Sequence, residues 1–229
     1  MRRKLRKKIR EVLTRLSLIK RKFVIPSFPK SKNCKVLVHI GCGEIDSPEF
    51  INIDVRGFAH IHIITSDLTS LPSFEDESVD LIYMCHIFEH IKTPQLLSVL
   101  VEMKRLLKVG GILRLSVPDF DRILRIYEES DRDINAITQP LMGGQKHEYN
   151  IHYSVFNRRR LTELLEEAGF KKVLAWDPSN CEYHNFEDWA SRKIKVNGKE
   201  YIISLNLEAI KGFPRAQLRQ ARVISEGEG

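Results

Sequence analysis

Apolar residues along the chain fall into short continuous runs divided by turn residues, and stretches with helical spacing lie between some of them. Residues 35–40 (KVLVHI), 50–55 (FINIDV), 61–64 (IHII), 79–84 (VDLIYM) and 111–117 (GILRLSV) read as strands, as do 172–176 and 201–210. Continuous β-branched runs, rather than strict alternation, predict a parallel sheet covered on both faces. Thr93 followed by Pro94 reads as an N-cap and first helical residue, with Leu96, Leu100, Met103 and Leu107 as the core face and Gly110-Gly111 as the stop. Asn157 predicts a second cap, ahead of Leu161, Leu164, Leu165 and Ala168, and Gly169 ends that helix. Phe156 and Leu161 stand in hydrophobic-staple positions around the cap.

The alternation predicts a doubly wound α/β domain whose ligand lies at the carboxyl ends of the strands. Residues 120–153 break it. They hold a short amphipathic helix (Ile123, Leu124, Tyr127) and a loop rich in Gly, His and Tyr, expected to lie over that carboxyl edge on the acceptor side.

The N-terminal pattern differs. Leu5, Ile9, Leu13, Leu16, Ile19 and Phe23 recur at steps of three or four among Arg and Lys, so the segment predicts a basic amphipathic helix with one apolar stripe. Pro26 and Pro29 end it, which divides the chain into an arm and linker over 1–34 and a main domain over 35–229. Charge follows the same division. Residues 1–35 hold fourteen Lys/Arg and one acid, Glu11, so +13 lies there and −6 remains on the rest, against a net +7. A nucleic-acid enzyme usually carries its positive field around the active site, so RNA is the less favoured partner. The arm instead suits an anionic membrane surface, met by residues 1–25.

At 229 residues and 42% hydrophobic, the chain is sized for one domain with a full core. No apolar run approaches the ~20 residues of a membrane span. Cys34, Cys42, Cys85 and Cys181 are widely spaced, without a C-x-x-C pair. That suits a reducing, cytoplasmic setting, with peripheral attachment at the inner face of a membrane through the arm.

Candidate chemistry starts at Gly41-Cys42-Gly43, where the first strand ends and glycines let the backbone turn sharply against a ligand. Asp54 closes the second strand, where a carboxylate can accept both hydroxyls of a ribose. Asp67-Leu68 follows the third strand, and Lys108-Val109-Gly110-Gly111 turns into the fifth. The set VLVHIGCGE, INIDV, SDLTSLP, SVDLIYMCHIFEHI and LLKVGGILRLSVPD resembles the class I S-adenosylmethionine-dependent methyltransferases, and within them the small-molecule branch associated with surface-glycan synthesis.

The resemblance implies a Rossmann-like, seven-stranded, mostly parallel sheet with the last strand, holding Asn206-Leu207-Glu208, antiparallel. It implies S-adenosyl-L-methionine as cofactor. Gly41, Cys42 and Gly43 would run along its methionine and ribose, Asp54 would bind the ribose hydroxyls, and Asp67 with Leu68 the adenine. Cys85 and His86 would face the methionine end. His39 stands where the family usually has an acid, Ile45 replaces the third glycine, and only ten residues separate Gly43 from Asp54, so the usual helix there is very short or absent.

Methyl transfer to a hydroxyl needs alignment and a base. His147, His152 and Asp119 are the candidates, converging from the 120–153 segment and the end of the fifth strand. Glu89-His90 reads as a helix start, and no compact ligand spacing predicts a metal. The expected acceptor is a small polar molecule, a sugar hydroxyl of a glycan precursor. The alternatives are an RNA methyltransferase using the arm, against which the missing Asp-Pro-Pro-Tyr-type motif counts, or an inactive adenosyl-binding module.

Overall fold

The computed structural model describes residues 27–213, so the basic helix expected over 1–25 lies outside the described residues. Strands β1 (Leu37–Ile40), β2 (Phe50–Asp54), β3 (Ile63–Ile64), β4 (Val79–Cys85), β5 (Leu107–Pro118), β6 (Lys172–Ala175) and β9 (Ser204–Ile210) form one seven-stranded sheet in the order β3-β2-β1-β4-β5-β9-β6. The first five pair in parallel, and β9 runs antiparallel between β5 and β6. The Rossmann-like sheet is as expected. The strand expected over 201–210 is split, however: its start belongs to a separate hairpin of β7 (Lys193–Val196) and β8 (Lys199–Ile202).

Successive strand residues point to opposite faces, and the faces are covered differently. On one, Val38, Ile40, Ile51, Ile53, Ile82 and Met84 meet helices α1 (Leu96–Leu106) and α4 (Arg158–Glu167). Helix α1 buries Leu96, Val99, Leu100, Met103 and Leu106, the spacing of one helical face. It ends a residue earlier than expected, and Leu107 is already in β5. Thr93 is not the cap either. It sits in a 3₁₀ turn (Thr93–Gln95), and its hydroxyl meets Ser154 Oγ at 3.3 Å. The α4 cap holds as expected: Asn157 Oδ1 accepts from Arg160 N at 3.0 Å, with Phe156 and Leu161 both buried.

On the other face, no helix stands between Gly43 and Asp54. Leu37, Phe50, Leu81 and Tyr83 are covered instead by chain from near the C-terminal end, through Trp176, Cys181, Tyr183, Phe186 and Ala190. His39 stacks on Phe186 at 5.5 Å in this aromatic layer. Tyr83 donates its hydroxyl proton to Asp188, whose Oδ1 accepts from Ala190 N at 2.8 Å. This segment does the work of the missing helix.

Residues 120–142 form two helices, α2 (Phe120–Glu129) and α3 (Ile134–Met142), rather than the single one expected. Ile123, Ile126 and Ile137 pack with Ile203, Trp189 and the β7–β8 hairpin (Ile194, Val196, Tyr201), while Leu124 is exposed. Together they stand over the carboxyl edge of the sheet.

Candidate active site

A cleft of about 1320 Å³ opens between the carboxyl ends of β1, β2 and β4 and the α3–hairpin layer. Single-ligand pockets usually measure ~300–1,000 Å³, so it has room for two molecules side by side.

Its floor is the glycine turn. Gly41 and Gly43 have φ of +68° and +58°, the left-handed region that disfavours side chains. A Cβ on Gly41 would also run into the Ile87 side chain. The turn is tied to β2 from both sides: Gly41 N donates to Ile53 O at 2.7 Å, and Gly43 N donates to Asp54 Oδ2 at 2.8 Å. Asp54 Oδ1 accepts from Arg56 N at 2.8 Å and faces Arg56 Nε at 3.3 Å. Asp54 is therefore buried, held in place and turned to the cleft, with lone-pair capacity left on its carboxylate.

Gly41, Cys42, Gly43, Asp54, Leu68, Cys85 and His86 all line this cleft, as do His147 and His152. Burial, then the charge of Asp54, push the Cys42 thiol well up, and burial does the same to Cys85, so both are neutral thiol walls. His39 lines the cleft floor at 1% exposure, and burial pushes it down to about 3, so an uncharged ring stands at this position.

Two expected site residues fall elsewhere. Asp67 is exposed and not among the lining residues. Its Oδ1 accepts from Thr69 Oγ1 at 2.6 Å and Thr69 N at 2.9 Å in a local turn, and of this pair Leu68 lines the cleft. Asp119 caps α2 by accepting from Asp121 N at 3.2 Å and pairs with Arg122 at 3.2 Å, so it belongs to the scaffold rather than to the reacting centre. Of the proposed bases, His147 is exposed on the acceptor side, whereas His152 is largely buried.

The structure adds residues not expected from the sequence. Glu89 lies in a 3₁₀ turn (Phe88–His90) and is 1% exposed, yet it lines the cleft beside His86, His90 and His152. His86 itself has φ +52°, a conformation that costs a residue with a Cβ ~1–2 kcal/mol. Its Nε2 meets Ser204 Oγ at 2.8 Å, and that hydroxyl donates its one proton to Trp189 O at 2.6 Å, so His86 Nε2 is the donor. Asn197 and Gly198 form the β7–β8 turn with φ of +49° and +84°. This Asn-Gly hairpin signal was legible, and it carries Lys195 and Asn197 to the acceptor side.

Strand order, glycine turn, the acid ending β2 and a cleft at the carboxyl edge define the class I S-adenosylmethionine-dependent methyltransferase fold. Residues 39–115, about a third of the chain, match the family described as Methyltransferase domain. S-adenosylmethionine is the cofactor of that class, and the open glycine cradle with the oriented Asp54 fits it. The chain is 32% identical over 121 residues to a demethylmenaquinone methyltransferase of Staphylococcus haemolyticus (strain JCSC1435), covering 50% of this chain and 49% of the relative. A demethylmenaquinone methyltransferase of Staphylococcus epidermidis is also 32% identical, over 122 residues and the same shares. The chain thus spans about half the length of the curated relatives it matches. A SAM-dependent methyltransferase from Archaeoglobus fulgidus aligns with TM-score 0.49 and 18% identity, covering 86% of this chain and 94% of that one.

Proposed function

We propose that this chain transfers the methyl group of S-adenosylmethionine to a small polar acceptor, a sugar hydroxyl in glycan assembly. The observation that carries this is one cleft shared by the glycine turn, Asp54, Cys85 and His86 on one side and a wall with several polar groups on the other. That wall includes Asn135, Gln139, His147, Asn150, Lys195 and Asn197, set among Trp189, Ile194, Val196 and Ile203. Amides, an imidazole and an ammonium match hydroxyl groups better than they match an isoprenoid quinone, the acceptor class suggested by the relatives' names.

When bound, S-adenosylmethionine supplies an electrophilic methyl on a sulfonium. Asp54 accepts from the ribose, the glycine turn admits the cofactor backbone closely, and the α3–hairpin layer screens the cleft from bulk water. His147, exposed at the acceptor side, takes the hydroxyl proton. For the arm, its apolar stripe and the +12 charge of residues 1–34 support attachment to anionic lipid, which would set the cleft near lipid-linked sugars. Among the described residues, no helix is long and apolar enough to cross a membrane.

The test is labelled S-adenosylmethionine incubated with sugar acceptors, demethylmenaquinone and RNA, followed by mass spectrometry. Methyl ethers on the sugars are expected, with His147→Ala slower by ~10²–10⁴ and unchanged in cofactor affinity. Transfer to the quinone or RNA alone would overturn the acceptor class, and absence of any S-adenosylhomocysteine binding would overturn the activity.

A further inference from the structure

Glu89 is the anomaly of the cleft. It is buried to 1% exposure, and His86 Nδ1 at 3.2 Å is the closest group to its carboxylate, without the alignment of a good hydrogen bond. Its neighbours are imidazoles: His86 Nδ1 lies 3.2 Å from Oε1 and His152 Nε2 lies 3.9 Å from it. His90 closes the group, its ring centroid 4.8 Å from that of His152. One ligand atom from each of Glu89, His90 and His152 lies within 4.8 Å of the other two.

We propose that Glu89, His90 and His152 bind one divalent first-row transition-metal ion of the Zn²⁺ or Co²⁺ type, with its remaining positions open to the cleft. Two imidazoles and one carboxylate are a borderline donor set suited to such ions. Bonds of ~2.0–2.2 Å put ligands about 3–3.5 Å apart around one ion, so the most separated pair must close by about 1.3–1.8 Å from its 4.8 Å limit. The second shell is already built. His90 Nδ1 is engaged by Ile151 O at 2.9 Å, which leaves Nε2 as the free nitrogen in the manner of metal-bound histidines. The strand of chain bearing His152 is fastened to the turn bearing Glu89: Tyr153 N and Ser154 N donate to Glu89 O at 2.9 and 3.1 Å, and Ser154 Oγ donates to Ile91 O at 2.9 Å. The ligands from the two segments are thereby held in one position before any ion arrives.

The expectation of no metal rested on the lack of compact ligand spacing in the sequence; this cluster draws its members from two segments far apart in the chain. On the reading of the cleft as a methyltransferase site, the open positions would receive oxygen donors of the acceptor, beside His86.

The experiment uses the full chain, stripped with a chelator and titrated with Co²⁺ while visible absorption is followed. One equivalent should produce ligand-field bands that Zn²⁺ displaces. Glu89→Gln and His152→Ala should each weaken Co²⁺ binding at least ~10–100-fold, the loss that even outer-shell changes cause. Both variants should keep the thermal shift given by S-adenosylhomocysteine, which shows that they fold. Should either lose it, the parent titration and the other variant decide. A parent chain without Co²⁺ bands, or variants that bind Co²⁺ as tightly as the parent, overturns the proposal. Co²⁺ binding in a chain that binds no S-adenosylhomocysteine would support the metal site while defeating the methyltransferase reading.

Discussion

Replacing Asp54 by alanine separates the two duties of one carboxylate. In the structure it accepts from Gly43 N and Arg56 N, both at 2.8 Å, and from Arg56 Nε at 3.3 Å. A hydrogen bond to a charged group is worth ~1.5–3 kcal/mol. The lower end applies to each backbone donor, because both sit at an open cleft and regain water. The ion pair adds little, since the Arg56 side chain is 42% exposed. Asp54→Ala should then cost about 3 kcal/mol of stability through the two backbone bonds. Ribose recognition is a further loss of ~1.5–3 kcal/mol, or roughly 10–150-fold in the Kd for S-adenosylhomocysteine. Arg56→Ala should leave stability within ~1 kcal/mol. Urea denaturation without ligand reads the first quantity, and calorimetric titration the second. A variant that loses stability but binds S-adenosylhomocysteine with the parent Kd would show that Asp54 only braces the glycine turn. Parent-like values for both would refute the reasoning entirely.

Two further outcomes are expected. Glu102 accepts from Leu71 N at 2.6 Å and pairs with Arg105, whose hydrogen bonds hold its carboxyl below the ordinary 4.5. Its contribution is therefore complete above pH 4.5 and fades as pH falls toward the lowered value, so Glu102→Gln should be less stable at pH 7 and converge on the parent in acid; a urea-midpoint gap that stays constant to pH 3 would contradict this. The full chain should co-sediment with anionic vesicles, release at high salt, and lose binding when residues 1–25 are deleted; equal sedimentation of the truncated chain would remove the arm as an anchor.

Much of the cleft floor was legible because it is local. A buried apolar run ending in Gly-Cys-Gly, and another ending in Asp54, each specify their own geometry. The local turn at Asp67 was not legible: Thr69, two residues on, engages one of its carboxylate oxygens. Thr93 and Leu107 were misassigned where a 3₁₀ turn and an early strand replaced the ends of an ideal helix. The Glu89 cluster was hidden for a different reason. Its members come from two segments far apart in sequence, and only the strapping of residues 153–154 onto Glu89 O brings His152 alongside. The short Gly43–Asp54 spacing announced a missing helix but carried no sign of what would cover the bare face.

That substitute cover has a consequence for synthesis. On the ribosome, where chains emerge at ~5–20 residues per second, strands β1, β2 and β4 leave the tunnel well before residues 177–203. Until that late segment docks, Leu37, Phe50, Leu81 and Tyr83 present an uncovered aromatic and aliphatic face, and Glu187, Asp188, Trp189 and Arg192 are missing from the cleft wall. A nascent chain stopped near residue 175 would thus be sticky on one face of its sheet and would lack part of its cleft wall.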